Sequence, residues 1–176
     1  MPNIPAWNTV KSPTGPAPII TISVFISCMI IHCNYDHSMT QEWICTNEEE
    51  TAKAAHEIAS LLTFPSIVFL NGDLGAGKTA FSRALIQRLM NDPDLIVPSP
   101  TYTLVQMYDD ETIWHFDLYR MNAPEDIYDL GWEEALHAKL CLIEWPCRLG
   151  SLKPKKYTDI TIDVLQDDVR RITLSS

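Results

Sequence analysis

The stretch FLNGDLGAGKTAF, residues 69–81, places glycines, a lysine and a hydroxyl at a spacing suited to binding phosphate. Gly72, Gly77, Lys78 and Thr79 match the pattern G-x-x-x-x-G-K-[ST]. Glycines let successive backbone N–H groups turn toward phosphate oxygens, where side chains would collide. Lys78 then reaches the β and γ phosphates, and the Thr79 hydroxyl is placed to coordinate Mg²⁺. The predicted nucleotide-binding residues are Asp73, Leu74, Gly75, Ala76, Gly77, Lys78, Thr79 and Ala80.

The residues around this motif support it. The apolar run 66–72 predicts a buried strand before the loop, and 78–91 predicts a helix whose apolar face includes Phe81 and Leu85. The glycine spacing does not fit G-x-G-x-x-G, so a dinucleotide cofactor is disfavoured. The sequence lacks N-K-x-D, the set that selects guanine, which favours ATP over GTP.

Two acids follow apolar runs at the ends of predicted strands. Asp117 ends IWHF and Glu144 ends LCLI. Ligands of parallel sheets bind outside the carboxyl ends of the strands, so both acids are expected beside the phosphates. We assign Glu144 to the metal and Asp117 to the attacking water, although position alone leaves these roles interchangeable. For each acid, the alternative is a solvated carboxylate at a strand terminus.

A hydroxyl-rich loop, PSPTYT at 98–103, lies where such proteins often keep a segment that senses the γ phosphate. Ser99, Thr101 or Thr103 could make that contact, and Thr101 is the residue we select. The alternative is a plain turn leading into the next strand.

Three further residues leave their roles open. Trp145 could stack on a base or a partner, or belong to the core. His115 lies inside a predicted strand, which favours a structural histidine over a catalyst. Arg120 could stabilise transferred charge or form an ion pair with a nearby acid.

The overall pattern alternates strands and helices. It predicts an α/β fold, a three-layer P-loop NTPase-like domain with a mostly parallel central sheet. The expected elements are a strand at 42–45, a helix at 48–62 capped by Thr46 or Asn47, the strand and helix around the glycine loop, strands at 103–109 and 112–120, helical turns at 123–136, a strand at 139–145 and a closing hairpin formed by DITIDVL and RRITLS.

Composition limits the remaining possibilities. The chain has 176 residues, enough for one domain, and a formal net charge of −10 that disfavours direct binding to RNA, DNA or anionic lipid. Residues 1–38 are proline-rich and then apolar, and they predict a non-native or disordered extension; a targeting or anchoring segment is the alternative. The functional domain is expected at 39–176, in the cytoplasm and without a membrane anchor.

The motifs, taken in order, resemble one family. GDLGAGKT, SPTYTLV, HFDLYR, EDIYDLGWEEAL and LIEWP run from about Thr46 to the C-terminus and are similar to the bacterial TsaE proteins. These are small ATPases required for making threonylcarbamoyladenosine in tRNA. The resemblance does not cover residues 1–38.

The resemblance implies ATP and Mg²⁺ as cofactors, with hydrolysis that is slow until partners assemble. The implied partners are TsaD, which transfers the threonylcarbamoyl group, and TsaB, with tRNA met only through that complex. Lys78 and Asp117 are then the implied catalytic residues, Thr79 and Glu144 the metal ligands, and Trp145 a neighbour of the nucleotide or partner. Thr46, Glu49, Thr51 and Arg170 are candidates for the adenine pocket.

Two other hypotheses remain. A small P-loop kinase that phosphorylates a metabolite predicts turnover that rises with that metabolite. A regulatory ATP-binding module predicts no physiological turnover at all.

Overall fold

Strands and helices follow one another in the predicted order. The computed structural model describes residues 23–26, 29–33 and 39–175. The strands are β1 (Ser23–Ile26), β2 (Met29–Cys33), β3 (Met39–Cys45), β4 (Ser66–Asn71), β5 (Val105–Tyr108), β6 (Ile113–Asp117), β7 (Leu140–Glu144), β8 (Thr158–Val164) and β9 (Arg170–Ser175). The helices are α1 (Glu48–Leu61), α2 (Lys78–Met90) and α3 (Trp132–Ala135), and shorter 3₁₀ segments lie at Pro124–Leu130, Pro146–Leu152 and Gln166–Asp168.

Four parallel strands form the centre of the sheet. Their spatial order is β8, β4, β7 and β6. Every residue of β6 and β7 is buried, as expected for strands covered on both faces. The parallel arrangement brings the carboxyl ends of β4, β7 and β6 to one edge of the sheet. This edge lies where the glycine loop begins.

The flanking strands are antiparallel. On one side β9, β3, β2 and β1 continue from β8, and on the other β5 pairs with β6. The predicted α/β class is confirmed, and so is the hairpin of β8 and β9. The sheet as a whole is mixed: short hairpin connections join β5 to β6 and β8 to β9, and β3 pairs antiparallel with the distant β9. Parallel pairing is therefore confined to the four central strands.

Helices α1 and α2 cover one face of the sheet. Asn47 caps α1, since its side-chain oxygen accepts the Glu50 amide at 2.9 Å, while the Glu50 carboxylate accepts the Thr46 amide at 2.7 Å. Both helices direct an apolar stripe toward the strands. The buried cluster on this face includes Ala55, Ile58, Phe81, Leu85, Val68, Leu70 and Leu142.

The second face of the sheet carries its own core. Here α3 and the 3₁₀ segments pack on alternate residues of the same strands, because successive side chains of a strand point to opposite faces. The cluster includes Phe69, Trp114, Phe116, Ile127, Trp132, Ile143 and Leu149. The sheet with its two coverings makes the three predicted layers.

The N-terminal part of the chain contributes strands β1 and β2, which pair with each other and then with β3. The rest of 1–38 lies outside the described residues. That the functional domain is confined to 39–176 stays a prediction. Within the described ranges, no helix combines the length and the apolar character needed to cross a membrane.

Gly72 provides a test of how β4 connects to the loop. Its φ is +146°, and a Cβ there would lie 2.6 Å from the carbonyl oxygen of Ile162 on β8. We expect Gly72→Ala to lower the free energy of unfolding by about 3 kcal/mol, since it combines backbone strain with a collision against main chain. Chemical denaturation followed by circular dichroism measures this loss.

Gly75→Ala is the matched control. Gly75 also has a positive φ, +80°, but a Cβ there meets no atom within 4 Å. The control should cost about 1 kcal/mol, from the left-handed conformation alone. Equal losses for the two variants would contradict the importance of the close approach to β8.

Candidate functional site

The predicted site residues surround one cavity at the carboxyl edge of the central strands. Its volume is about 250 Å³. The lining consists of Leu74, Gly75, Gly77, Lys78, Thr79, Ala80, Thr101, Asp117, Glu144 and Trp145. Asp73 and Ala76, also predicted as binding residues, belong to the same loop but do not line this cavity. Asp73 lines a neighbouring cavity of about 380 Å³, which also reaches Trp145.

Backbone geometry gives the glycine loop its shape. Gly75 and Gly77 have φ of +80° and +105°, values that favour glycine over residues with a Cβ. Gly77 is the N-cap of α2 and offers no side-chain hydrogen bond to the first turn of the helix. The first amides of a helix carry partial positive charge. An anion beside Gly77 would therefore meet donors that no capping side chain engages.

The Lys78 side chain is buried at the centre of this loop, with 5% of its surface exposed. Its Nζ donates to the carbonyl oxygens of Gly72 at 2.7 Å and Asp73 at 2.8 Å. Burial lowers the pKa of the Lys78 ammonium, and nearby carboxylates, with Glu144 first, only partly oppose that shift. Burial thus disfavours the protonated form of Lys78, and an anion bound beside the ammonium would stabilise that form.

Asp117 and Glu144 lie side by side. They are register partners at the ends of β6 and β7, and both are buried. On each strand, the acid points to the same face as the residue two positions earlier, which is the face covered by α2. The two carboxylates therefore reach the same side of the sheet as Lys78 and Thr79.

The loop at 98–103 is tied to Asp117. Thr101 Oγ1 donates to Asp117 Oδ2 at 2.5 Å, and the Ser99 hydroxyl lies 2.6 Å from that of Thr101 and 3.5 Å from the same carboxylate oxygen. Asp117 Oδ1 accepts the amide of Tyr119 at 3.1 Å. Thr103, in contrast, is exposed, and among the described residues its hydroxyl accepts only from Gln106 Nε2, at 3.4 Å. The structure thus brings Thr101 into the site and leaves Thr103 outside it.

Trp145 is neither a core residue nor fully exposed. Its backbone is left-handed, with φ 58° and ψ 49°, which ends β7 abruptly after Glu144. This conformation costs a residue with a side chain about 1 kcal/mol. The turn places the indole ring over Lys78 Nζ, 4.0 Å from ring centre to nitrogen, and a cation–π contact of that kind contributes a similar amount.

A smaller cavity of about 160 Å³ adjoins the start of α2. Its lining includes Thr51 and Arg170, two of the predicted adenine-pocket residues. Arg170 Nε donates to the Ala76 carbonyl at 3.1 Å, so β9 braces the glycine loop. The other two candidates do not line this cavity: Thr46 bonds to the Glu50 carboxylate and Glu49 pairs with Lys53.

Arg120 contacts an aromatic ring and forms no ion pair with an acid among the described residues. Its guanidinium carbon lies 4.4 Å from the ring centre of Tyr102, an aromatic side chain that is 82% exposed. This contact joins the end of the HFDLYR segment to the 98–103 loop. An exposed cation–π pair of this kind contributes about 0.5–1 kcal/mol.

Sequence reasoning missed two partners of Glu144. The His115 ring and the Ser82 hydroxyl both reach Glu144 Oε1, at 2.9 Å and 3.1 Å. A signal existed in each case: Ser82 is four residues after Lys78 on α2, and His115 is two residues before Asp117 on β6. Helical and strand periodicity put each on the same face as a predicted site residue.

This fold and this site define the class: an α/β protein in which a buried strand, a glycine loop and a helix form the binding edge, with two carboxylates from neighbouring strands. Comparison with known proteins then gives the family. The family model described as "Threonylcarbamoyl adenosine biosynthesis protein TsaE" matches residues 45–172. The chain belongs to the TsaE family.

Individual relatives agree with the family model. The chain is 45% identical over 129 residues to the tRNA threonylcarbamoyladenosine biosynthesis protein TsaE of Rickettsia felis, covering 72% of this chain and 75% of the relative. It is 35% identical over 138 residues to the protein of the same name from Bacillus subtilis, covering 77% and 85%. The crystal structure of Bacillus subtilis YdiB superposes with a TM-score of 0.63 at 30% identity, over 79% of this chain and 86% of that one.

The hydrogen bond from Thr101 to Asp117 should restrict the mobility of the 98–103 loop. Removing the hydroxyl in Thr101→Val deletes a hydrogen bond to a charged group, worth about 1.5 kcal/mol or more. We expect the amides of Ser99 and of residues 101–104 to exchange with deuterium roughly tenfold faster, because local opening costs correspondingly less. Hydrogen exchange read by mass spectrometry measures this change.

Thr103→Val makes the same chemical change two residues away, where the hydroxyl does not reach Asp117. Exchange in this control should match the wild-type protein. If both variants exchange alike, Asp117 does not anchor the loop.

Proposed function

We propose that this chain is a Mg²⁺-dependent ATPase accessory subunit that supports TsaD and TsaB in forming threonylcarbamoyladenosine on tRNA. The observation that carries the proposal is the single cavity lined by the glycine loop, Lys78, Thr101, Asp117 and Glu144. Family membership indicates the pathway, threonylcarbamoyladenosine formation. The residues of the cavity support ATP hydrolysis as the reaction.

The hydrogen-bond donors around the cavity fit a nucleoside triphosphate. The uncapped start of α2 and the buried Lys78 ammonium both favour an anion, and the positive-φ glycines keep side chains out of its path. Lys78 would hold the β and γ phosphates. The adjoining cavity between Thr51 and Arg170 would receive the adenosine part.

The cavity also offers donors that fit Mg²⁺. The Thr79 hydroxyl and the Glu144 carboxylate are oxygen ligands of the kind that Mg²⁺ takes together with phosphates and water. Thr79 lies at the start of α2 and Glu144 at the end of β7, on either side of the cavity. Bound there, the metal would neutralise charge that develops on the γ phosphate during transfer.

We assign Asp117 to directing the attacking water. Its carboxylate is fixed on both oxygens, by the Tyr119 amide and by Thr101. A fixed carboxylate can accept a proton from water held next to it and orient the water for attack. Because Thr101 shares this carboxylate, the 98–103 loop and the water position would change together.

The 98–103 loop connects Asp117 to the protein surface. Tyr102 is exposed beside Arg120, and Leu74 on the glycine loop is 74% exposed. We propose that ATP fixes this surface for TsaD and TsaB, and that hydrolysis releases it for another cycle. The net charge of −10 suits a subunit that contacts protein partners and reaches tRNA only through them, with no role for DNA.

The direct test is ATP turnover by the full chain, alone and with TsaD and TsaB together. We expect turnover to be slow alone and to rise at least tenfold with the pair, a change of about 1.4 kcal/mol in the barrier. Phosphate release measures the rate, and Lys78→Met with the same partners is the control for contaminating ATPase. No increase with the pair over a range of concentrations would refute the accessory role, and an increase with a small metabolite instead would favour the kinase.

Asp117→Asn tests the hydrolytic step separately. The amide keeps one acceptor oxygen but loses the charge, so we expect kcat to fall about a hundredfold, since general-base contributions are typically of that size. ADP affinity should change little, because Asp117 is assigned to the water and not to the nucleotide. Single-turnover kinetics and calorimetric ADP titration measure the two effects.

Asp129→Asn is the matched control, since Asp129 is exposed and lies away from the cavity. A normal kcat in Asp117→Asn would remove Asp117 from the mechanism. Full complementation of a TsaE-depleted cell by Asp117→Ala, despite lost turnover, would favour the regulatory module.

A further inference from the structure

His115 is a polar residue in the most buried part of the sheet. It is fully buried at the middle of β6, between the apolar residues Trp114 and Phe116 in sequence and opposite Leu142 in register. Its Nδ1 is buried and has no hydrogen-bond partner among the described residues. An unpaired buried nitrogen destabilises a fold relative to an apolar side chain of similar size. Packing alone therefore gives no reason for a histidine here.

The other ring nitrogen of His115 contacts Glu144. His115 Nε2 lies 2.9 Å from Glu144 Oε1. An ionised carboxylate only accepts hydrogen bonds, so with Glu144 ionised the proton of this contact belongs to Nε2. The histidine then acts as a donor whose position is fixed by the strand that carries it.

Ser82 approaches the same oxygen from another element. Its hydroxyl, fully buried on α2, donates to Glu144 Oε1 at 3.1 Å. Both hydrogen bonds of the carboxylate thus end on Oε1, and within the described residues Oε2 accepts none. Glu144 nonetheless lines the cavity. The two donors therefore fix Glu144 Oε1, and Oε2 stays available to a ligand in the cavity.

We propose that His115 and Ser82 are positioning residues that orient Glu144 Oε2 toward the nucleotide-bound metal. The inference rests on the proposed function, in which Glu144 is a metal ligand. Ligating carboxylates commonly depend on hydrogen bonds from surrounding residues, and removing such a bond typically weakens metal binding 10–100-fold. Here the donors come from β6 and α2, so the ligand is held between the sheet and the helix that follows the glycine loop.

The experiment measures metal binding directly, with Mn²⁺ as the probe. Electron paramagnetic resonance follows free Mn²⁺ during titration of the full chain with ADP present, and calorimetry measures ADP affinity with EDTA. We expect His115→Leu to weaken Mn²⁺ binding about tenfold or more while metal-free ADP affinity changes less than about twofold. His115→Gln, which restores an amide donor, should recover part of the loss.

Two further variants complete the design. His137→Leu makes the same change at an exposed histidine and should leave Mn²⁺ binding unchanged. Ser82→Ala removes the second donor with His115 in place, and it should weaken Mn²⁺ binding in the same direction. Because Ser82→Ala is a small change, it tests the proposal even if His115→Leu does not fold.

The outcomes separate this inference from the proposed function. Unchanged Mn²⁺ affinity in His115→Leu or Ser82→Ala would overturn the positioning role while the wild-type protein still binds Mn²⁺ with ADP. An equal loss of metal-free ADP affinity would also overturn it, since that pattern indicates a general structural effect. No ADP-dependent Mn²⁺ binding by the wild-type protein would overturn the proposed function itself.

Discussion

The parallel register of β4, β7 and β6 is the constraint on which the site depends. Leu70 is the register partner of Glu144, and Glu144 is the register partner of Asp117, so three chain segments leave the sheet along one line. A slip of one residue in any strand would turn its side chains to the opposite face. Because both faces of these strands are buried, a slip would also exchange side chains between the two cores and disrupt their packing. The packing energy of the core therefore fixes the position of the carboxylates.

The glycine loop depends on contacts with the β8–β9 hairpin as well as on its own sequence. Gly72 passes so close to the Ile162 carbonyl that a Cβ would lie 2.6 Å from it, and Arg170 donates to Ala76. Ile162 belongs to β8 and Arg170 to β9. The β8–β9 hairpin thus contacts the glycine loop at two points, Gly72 and Ala76. This explains why the domain needs its C-terminal strands to shape a site formed mainly in the middle of the chain.

Periodicity and one motif predict much of this architecture from the sequence. The α/β class, the order of elements and the convergence of Lys78, Asp117 and Glu144 all follow from buried strands ending in acids. Apart from the β8–β9 hairpin, the antiparallel flanks do not follow, since a strand pattern carries no direction. Contacts between distant residues are also invisible: Arg120 on Tyr102 depends on how two loops approach, and His115 on Glu144 depends on strand register. Prediction from the sequence stopped where a contact with a second chain segment decided the arrangement.

Several features of the site carry a cost in stability. Trp145 has a left-handed backbone, Lys78 is an ammonium in a place that lowers its pKa, and His115 has an unpaired buried nitrogen. Each is unfavourable in isolation by about 1 kcal/mol or more. All three touch the glycine loop or Glu144. Most other buried positions among the described residues are apolar, so strained or buried polar groups gathered at one edge favour the proposed binding role. The proposed phosphate and metal would supply the charges that the protein alone leaves only partly balanced.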